Sequence, residues 1–264
     1  MIGRHFVVTA SLLGLGGLLV AATPAPTTLR YRIESKTEQV VDLSAMGQGN
    51  QTNAFSQIAI ISITLSDTTG GKVMHAVVDT IGSDAPLPGI AESAQKAKGA
   101  WLHGFVDQWG RVKIAATSAD SNDMVSQLRN SLARFFPIVK PGTKDGDTWV
   151  DTSHADTKTA HQAMKTETIT TYKRAGSAAH GAETALRIDA TSATKGAGTM
   201  ENPMAGTMDV ELTDAGTETF WVATDGRYLG GEAKSDGKSL VRTPMAPDAI
   251  PVKLTRTTTV SIIK

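Results

Sequence analysis

Residues 29 to 43 read LRYRIESKTEQVVDL, and the alternation in that stretch decides the fold class. Leu29, Tyr31, Ile33, Val41 and Leu43 fall on one side of an extended chain. Arg30, Arg32, Glu34, Lys36, Glu38 and Asp42 fall on the other. Successive side chains of a strand point to opposite faces, so the pattern predicts a long strand, or two continuous ones, with one face wet. Working outward, FSQIAIISITL (55–65) is apolar on both faces toward its end, as a strand in the middle of a sheet would be. Asp67-Thr68-Thr69-Gly70-Gly71 turns it into KVMHAVVDTI (72–81) as a hairpin. WLHGFVDQWGRVKIAAT (101–117) predicts a second hairpin through Asp107-Gln108-Trp109-Gly110.

The later chain repeats the theme. KDGDTWVDT (144–152) reads as a turn entering a strand at Trp149, and HADTKTAHQ (154–162) is polar and patternless. MKTETITTYKR (164–174) and AETALRIDATS (182–192) are half-buried strands separated by the loop AGSAAHG. TKGAGTMENPMAG (194–206) predicts a strand interrupted by an edge or a bulge. TMDVELTD (207–214) points Met208, Val210 and Leu212 inward. TETFWVATDGRYLGGEAKS (217–235) is a hairpin on Asp225-Gly226, a pair suited to a type I′ turn. PVKLTRTTTVSII (251–263) closes the chain as a strand with Val260 to Ile263 buried. The hairpin residues Asp107, Gly110, Arg111 and Asp225, Gly226, Arg227 echo each other, which fits one sheet assembled from two similar meanders.

Two segments break the strand pattern. In NDMVSQLRNSLARFFPIVKPG (122–142), Met124, Val125, Leu128, Leu132, Phe135 and Phe136 recur at helical spacing. Ser121, Asn122 and Asp123 offer capping oxygens, and Pro137 ends the run. Beyond Pro86 and Pro88, Ile90 to Lys98 predicts a short helix stopped at Gly99.

Composition narrows the classes of function. The chain of 264 residues carries 26 basic and 26 acidic side chains, so no net field draws it to nucleic acid. It has no cysteine, which excludes disulfides, thiolate metal sites and cysteine nucleophiles. Threonine, at roughly one residue in eight, favours strands. At the N-terminus, Arg4 and His5 precede the uncharged run FVVTASLLGLGGLLV (6–20), and Val20-Ala21-Ala22 supplies the small residues of a cleavage site. Residues 1–22 therefore read as a signal peptide, with a retained anchor as the alternative because both look alike over this length, and 23–264 as a single β-rich domain, periplasmic or extracellular, with no integral membrane segment after cleavage. No cysteine follows the apolar run, so lipoprotein processing is excluded.

No stretch carries a specific chemistry. Asp151, His154, Asp156 and His161 cluster in sequence, but their spacing matches neither HExxH nor an EF-hand. His103 and Asp107 share a strand face beside Trp101 and Phe105 as a conceivable acid/base pair, and His75 is a further lone histidine; ordinary core histidines read the same way. There is no G-x-S-x-G elbow, and Gly14, Gly16 and Gly17 lie in the apolar N-terminal run, where no βαβ unit uses them. No catalytic residue, metal site or cofactor is assigned.

The order of elements (signal peptide, long alternating strands, hairpins, the helix at 122–136, more strands) resembles the lipoprotein-carrier (LolA-like) incomplete-barrel proteins of the bacterial envelope. Pro141 followed by Gly146-Asp147-Thr148-Trp149 is similar to uncharacterised secreted bacterial β-rich proteins. The resemblance implies a non-enzymatic role, with an apolar cavity sheltering acyl chains. The expected fold is mainly β: a large curved antiparallel sheet, an incomplete barrel, with one or two short helices on its apolar face. Leu128, Leu132, Phe135 and Phe136 would roof the cavity, and Trp101, Phe105, Trp149 and Trp221 would form its walls, around a lipid or other apolar small molecule. The competing expectations are an interaction module that pairs an exposed strand edge with an envelope protein, and a hydrolase or metal-binding protein.

Overall fold

The computed structural model describes residues 26–85, 89–119, 122–158, 162–202, 206–244, 246 and 248–263. The apolar N-terminal run lies outside these residues, as do Pro86, Pro88, Ser121 and His161. The strands are β1 (Thr27–Asp42), β2 (Asn50–Thr68), β3 (Gly71–Ser83), β4 (Trp101–Asp107), β5 (Val112–Thr117) and β6 (Thr148–Lys158). They continue with β7 (Gln162–His180), β8 (Glu183–Asn202), β9 (Gly206–Ala223), β10 (Tyr228–Arg242) and β11 (Ile250–Ile263). Helix α1 (Ile90–Ala97) joins β3 to β4, and α2 (Asp123–Leu132) lies between β5 and β6.

All the strands form one antiparallel sheet in the order β5-β4-β3-β2-β1-β11-β10-β9-β8-β7-β6. It is two meanders joined by a seam. β1 to β5 step outward one way, the chain crosses through α2, and β6 to β11 step back until β11 pairs with β1 from Arg30↔Ile263 to Val41↔Val252. The sheet curls through 269° into an incomplete barrel.

Alternation sets the two faces. Tyr31, Ile61, Ile63, Met74, Val78, Leu102 and Ile188 point to the concave side and are almost fully buried. Arg30 and Asp79 pair on the convex side at 2.9 Å, and exposed Lys165, Glu167 and Lys173 occupy the same face of β7. Curling crowds the concave side, where glycine relieves the clash. A Cβ on Gly198 would lie 2.0 Å from the Ala163 carbonyl oxygen of the next strand. That explains why 194–202 runs through the sheet as an unbroken strand, where the weak, proline-bearing sequence of 194–206 suggested an interruption. AGSAAHG is likewise strand: β7 continues to His180 past an irregularity between Arg174 and Gly176, and the turn is Gly181-Ala182. The polar segment after His154 also stays in β6, as far as Lys158.

Helix α2 is fixed at its start by Asn122, whose Oδ1 accepts from the amides of Met124 (3.0 Å) and Val125 (3.1 Å). Ser93 of α1 donates to the same oxygen (3.2 Å), while Asn122 Nδ2 donates to the Ser93 carbonyl (2.9 Å), tying the helices together. Met124, Val125, Leu128 and Leu132 are buried. The helix stops at Leu132, short of the expected Phe136. Pro137 disfavours helical backbone in the residue before it, and the chain leaves the helix in tight turns closed by Arg134 N–H to Ser131 O and Phe135 N–H to Leu132 O.

Edges β5 and β6 do not pair with each other. The crossing chain stitches them instead. Arg111 donates to Asp151 through Nη2 (2.6 Å) and Nε (3.1 Å), Trp149 Nε1 donates to the Ile138 carbonyl (3.1 Å), and Val139 N–H to that of Trp109 (2.7 Å).

Candidate functional site

Several hairpin turns lie at one end of the incomplete barrel, and a cavity of about 560 Å³ opens among them. It is lined by the starts of β1 and β10, the turns after β2, β4 and β9, and residues 136, 137 and 139 of the crossing segment. That volume falls within the roughly 300–1,000 Å³ range of small-molecule sites. Leu29, Ile63, Leu65, Val106, Val139 and Val222 give apolar walls, with Tyr31, Trp109, Phe136 and Tyr228 as the aromatic part.

Two of these turns are built alike. Asp107 N–H donates to Arg111 O, and Gly110 N–H to Asp107 O; Ala223 N–H donates to Arg227 O, and Gly226 N–H to Ala223 O. Each is a three-residue loop whose last residue is a glycine at positive φ, 95° for Gly110 and 85° for Gly226. The type I′ turn expected at Asp225-Gly226 is not formed, because it needs positive φ at both positions and no described non-glycine residue has it. At Gly110 a Cβ would also meet the Pro137 carbonyl oxygen at 2.4 Å, so this turn and the crossing segment fit only with glycine there.

Beneath the cavity the rings form a continuous run. Trp149 stacks on Tyr172 (5.7 Å between centroids), Tyr172 meets Phe220 (6.4 Å), and Phe220 meets Tyr228 (6.3 Å). Tyr228 then touches Tyr31 (5.9 Å), Phe135 (5.2 Å) and Phe136 (5.8 Å). Most of these contacts are edge-to-face or offset, the arrangements the ring quadrupoles favour. The chain has three tyrosines, and all of them are here. Tyr31 Oη donates to the Tyr228 carbonyl (2.9 Å). Burial pushes the Tyr172 hydroxyl up to about 12 and those of Tyr31 and Tyr228 further upward.

The eight residues expected to form a cavity divide into three groups. Phe136, half-buried, lines the cavity. Leu128, Leu132, Phe135 and Trp149 belong to the packed core. Trp101, Phe105 and Trp221 lie on the opposite face, a correction that strand parity explains. Trp101, His103 and Phe105 alternate with the inward Leu102, Gly104 and Val106, while Trp221 follows the inward Phe220 and packs beside His180 (4.7 Å). Tyr31, Trp109, Tyr172, Phe220 and Tyr228 were not singled out as site residues. Parity of Tyr31 with Ile33, of Tyr172 with Met164 and of Phe220 with Val222 is the signal that could have found these strand members.

The other sequence clusters come apart. Asp151 is held by Arg111, and His154 faces Glu167 at 3.6 Å on the other side of β6. Among the described residues, no group of three His, Cys, Asp or Glu is placed to hold a metal ion. Asp107 Oδ1 is taken by the amides of Trp109 (2.8 Å) and Arg111 (2.9 Å), while His103 lies against His75, with ring centroids 4.5 Å apart. A second cavity of about 310 Å³ lies along the β5–β6 gap, lined by Arg111, Arg134, Asp151 and His154. Arg134 is engaged there with Glu218 of β9 at 3.3 Å.

Fold and site together define a class: an antiparallel incomplete barrel with an aromatic-floored cavity among its hairpin turns. No family model and no curated protein matches the chain. Among solved structures, a mutant porin of Rh. blastica is 10% identical, covering 89% of this chain and 100% of its own, at a TM-score of 0.28. DynF of the dynemicin biosynthesis pathway of Micromonospora chersina is 11% identical, covering 92% and 83%, at 0.23. A loop-deletion form of the outer-membrane protein OmpT of Vibrio cholerae is 10% identical, covering 90% and 100%, at 0.20. Likenesses of that size carry no argument about what this chain does. No helix among the described residues is long and apolar enough to cross a membrane.

Proposed function

We propose that this protein acts outside the cytoplasm as a non-enzymatic carrier or sensor of an apolar, lipid-like ligand held in the cavity at the hairpin end. The observation that carries the proposal is the cavity itself: about 560 Å³, apolar walls, an aromatic floor and a polar rim. Apolar area removed from water there contributes roughly 25 cal/mol per Å², enough for useful affinity without any directional bond. The signal-like N-terminal sequence supports the location. The convex face of β7 exposes Lys165, Glu167 and Lys173 beside Ile169, a mixed surface unlike the continuous apolar band a lipid-facing barrel presents.

The test is uptake of the uncharged solvatochromic dye Nile red by the protein and by Phe136→Arg. The proposal predicts micromolar binding with a blue shift, weakened more than tenfold in the variant while its far-ultraviolet circular dichroism is unchanged. Equal uptake by both proteins contradicts it.

A second reading has one observation in its favour. β6 pairs only with β7, leaving an edge along Thr148–Lys158 to which a partner strand could add. Thr152→Pro would abolish such pairing and leave dye uptake intact.

A further inference from the structure

The charges around the cavity mouth restrict the ligand further. Lys72 Nζ is 2.6 Å from Asp67 Oδ1. Arg227 is shared between Asp225 (2.6 Å) and Glu183 (3.0 Å). Arg111, following the β4 turn, is shared between Asp151 (2.6 Å) and Asp107 (3.7 Å). Of these groups Asp67, Asp107, Asp225, Lys72 and Arg227 line the cavity, so three carboxylates face two cations there, and both of those cations are committed.

The arrangement is also fixed by backbone. Asp107 is held by two amides of its own turn, and Asp225 Oδ1 accepts from the Arg227 amide at 3.0 Å. These carboxylates cannot swing away to free their arginines without breaking the turns that shape the mouth. An anionic headgroup would therefore meet a surplus of negative charge within a Debye length of about 10 Å, or have to displace a carboxylate from its cation. A hydroxyl, by contrast, can donate to the unused lone pairs of the same carboxylates.

We propose that the cavity selects amphiphiles whose polar end carries no negative charge, taking an uncharged lipid such as a monoacylglycerol and rejecting the fatty acid of equal chain length. This rests on the reading of the cavity as a ligand site. The geometry that carries it is the set of committed ion pairs around an apolar opening, with Asp107 and Asp225 anchored by their own turns.

The experiment is displacement of Nile red from the whole protein at pH 8 and low salt, by 1-monolauroylglycerol and by laurate, each below its aggregation concentration. The expected result is displacement by the monoacylglycerol at a concentration at least tenfold lower. That gap narrows to threefold or less at 0.5 M salt, and again in Asp67→Asn, which releases Lys72. Equal displacement by both amphiphiles in the unaltered protein overturns the selectivity while leaving the carrier reading standing. If the dye does not bind and calorimetry detects neither amphiphile, the carrier reading fails and the selectivity falls with it.

Discussion

The concave face has two regions made by the same strands to different ends. Toward the hairpin turns, β1, β7, β9 and β10 present Tyr31, Tyr172, Phe220 and Tyr228, and the chain after α2 drops Phe135 among them. Further along β7 to β10, the inward positions include Thr168, Thr170, Thr194, Gly196, Gly198, Gly216 and Gly237, with Met164, Val210 and Leu212 filling the space the glycines leave. Large rings hold the sheet and the crossing segment apart and leave a cavity at their margin. Small and hydroxyl-bearing residues let the strands curl tightly, and Thr168 and Thr194 satisfy each other at 2.8 Å. One end is shaped to contain something, and the other to bend.

The largest effect that tests this contrast comes from the aromatic end. Phe135→Ala removes the ring that touches Tyr31, Phe136 and Tyr228 at once, and should cost about 3–5 kcal/mol in urea denaturation, with dye uptake lost as well. A cost below 1 kcal/mol would show that the ring run is not the core. At the bending end, Gly198→Val drives a side chain against the Ala163 carbonyl and should cost about 1–3 kcal/mol while dye affinity per folded molecule stays unchanged. If affinity falls with stability, the two regions are not separable. Smaller still, Thr168→Val leaves the Thr194 hydroxyl without its partner, at about 1 kcal/mol by the same measurement.

The smallest expected effect is one of pH. His75 has a folded-state pKa below its ordinary value, because burial, and then the neighbouring His103, disfavour its cation. The unfolded chain therefore binds more protons between that depressed value and about 6.5, so stability falls as pH drops through this window. His75→Gln should flatten the thermal midpoint against pH between 6.5 and 5. An unchanged slope would assign the acid sensitivity elsewhere.

Much of this architecture is legible in the sequence. Alternation in residues 29–43 and 207–214 assigns strand and face correctly, and Asn122 announces the start of α2. What misleads is residue type read without position. Trp101, Phe105 and Trp221 are large and aromatic, yet each is one step out of phase with the buried set, so the sheet turns them outward. Leu128 and Leu132 have the right spacing, but spacing cannot distinguish a roof over a cavity from a lid packed shut. Residues 194–206 read as interrupted strand because, in one dimension, nothing shows that a curling sheet needs small residues such as Gly196 and Gly198 on its inner side. The pairing of the hairpin ends around a mouth depends on β11 returning to β1, a contact between the two ends of the described chain that no local pattern encodes.

Whether the hairpin end holds an apolar ligand is read out by native mass spectrometry of residues 23–264 purified from a bacterial periplasm. A filled cavity gives a bound species of lipid size, recovered by organic extraction and absent from Phe136→Arg. A bare polypeptide mass that stays bare after incubation with monoacylglycerol would contradict it.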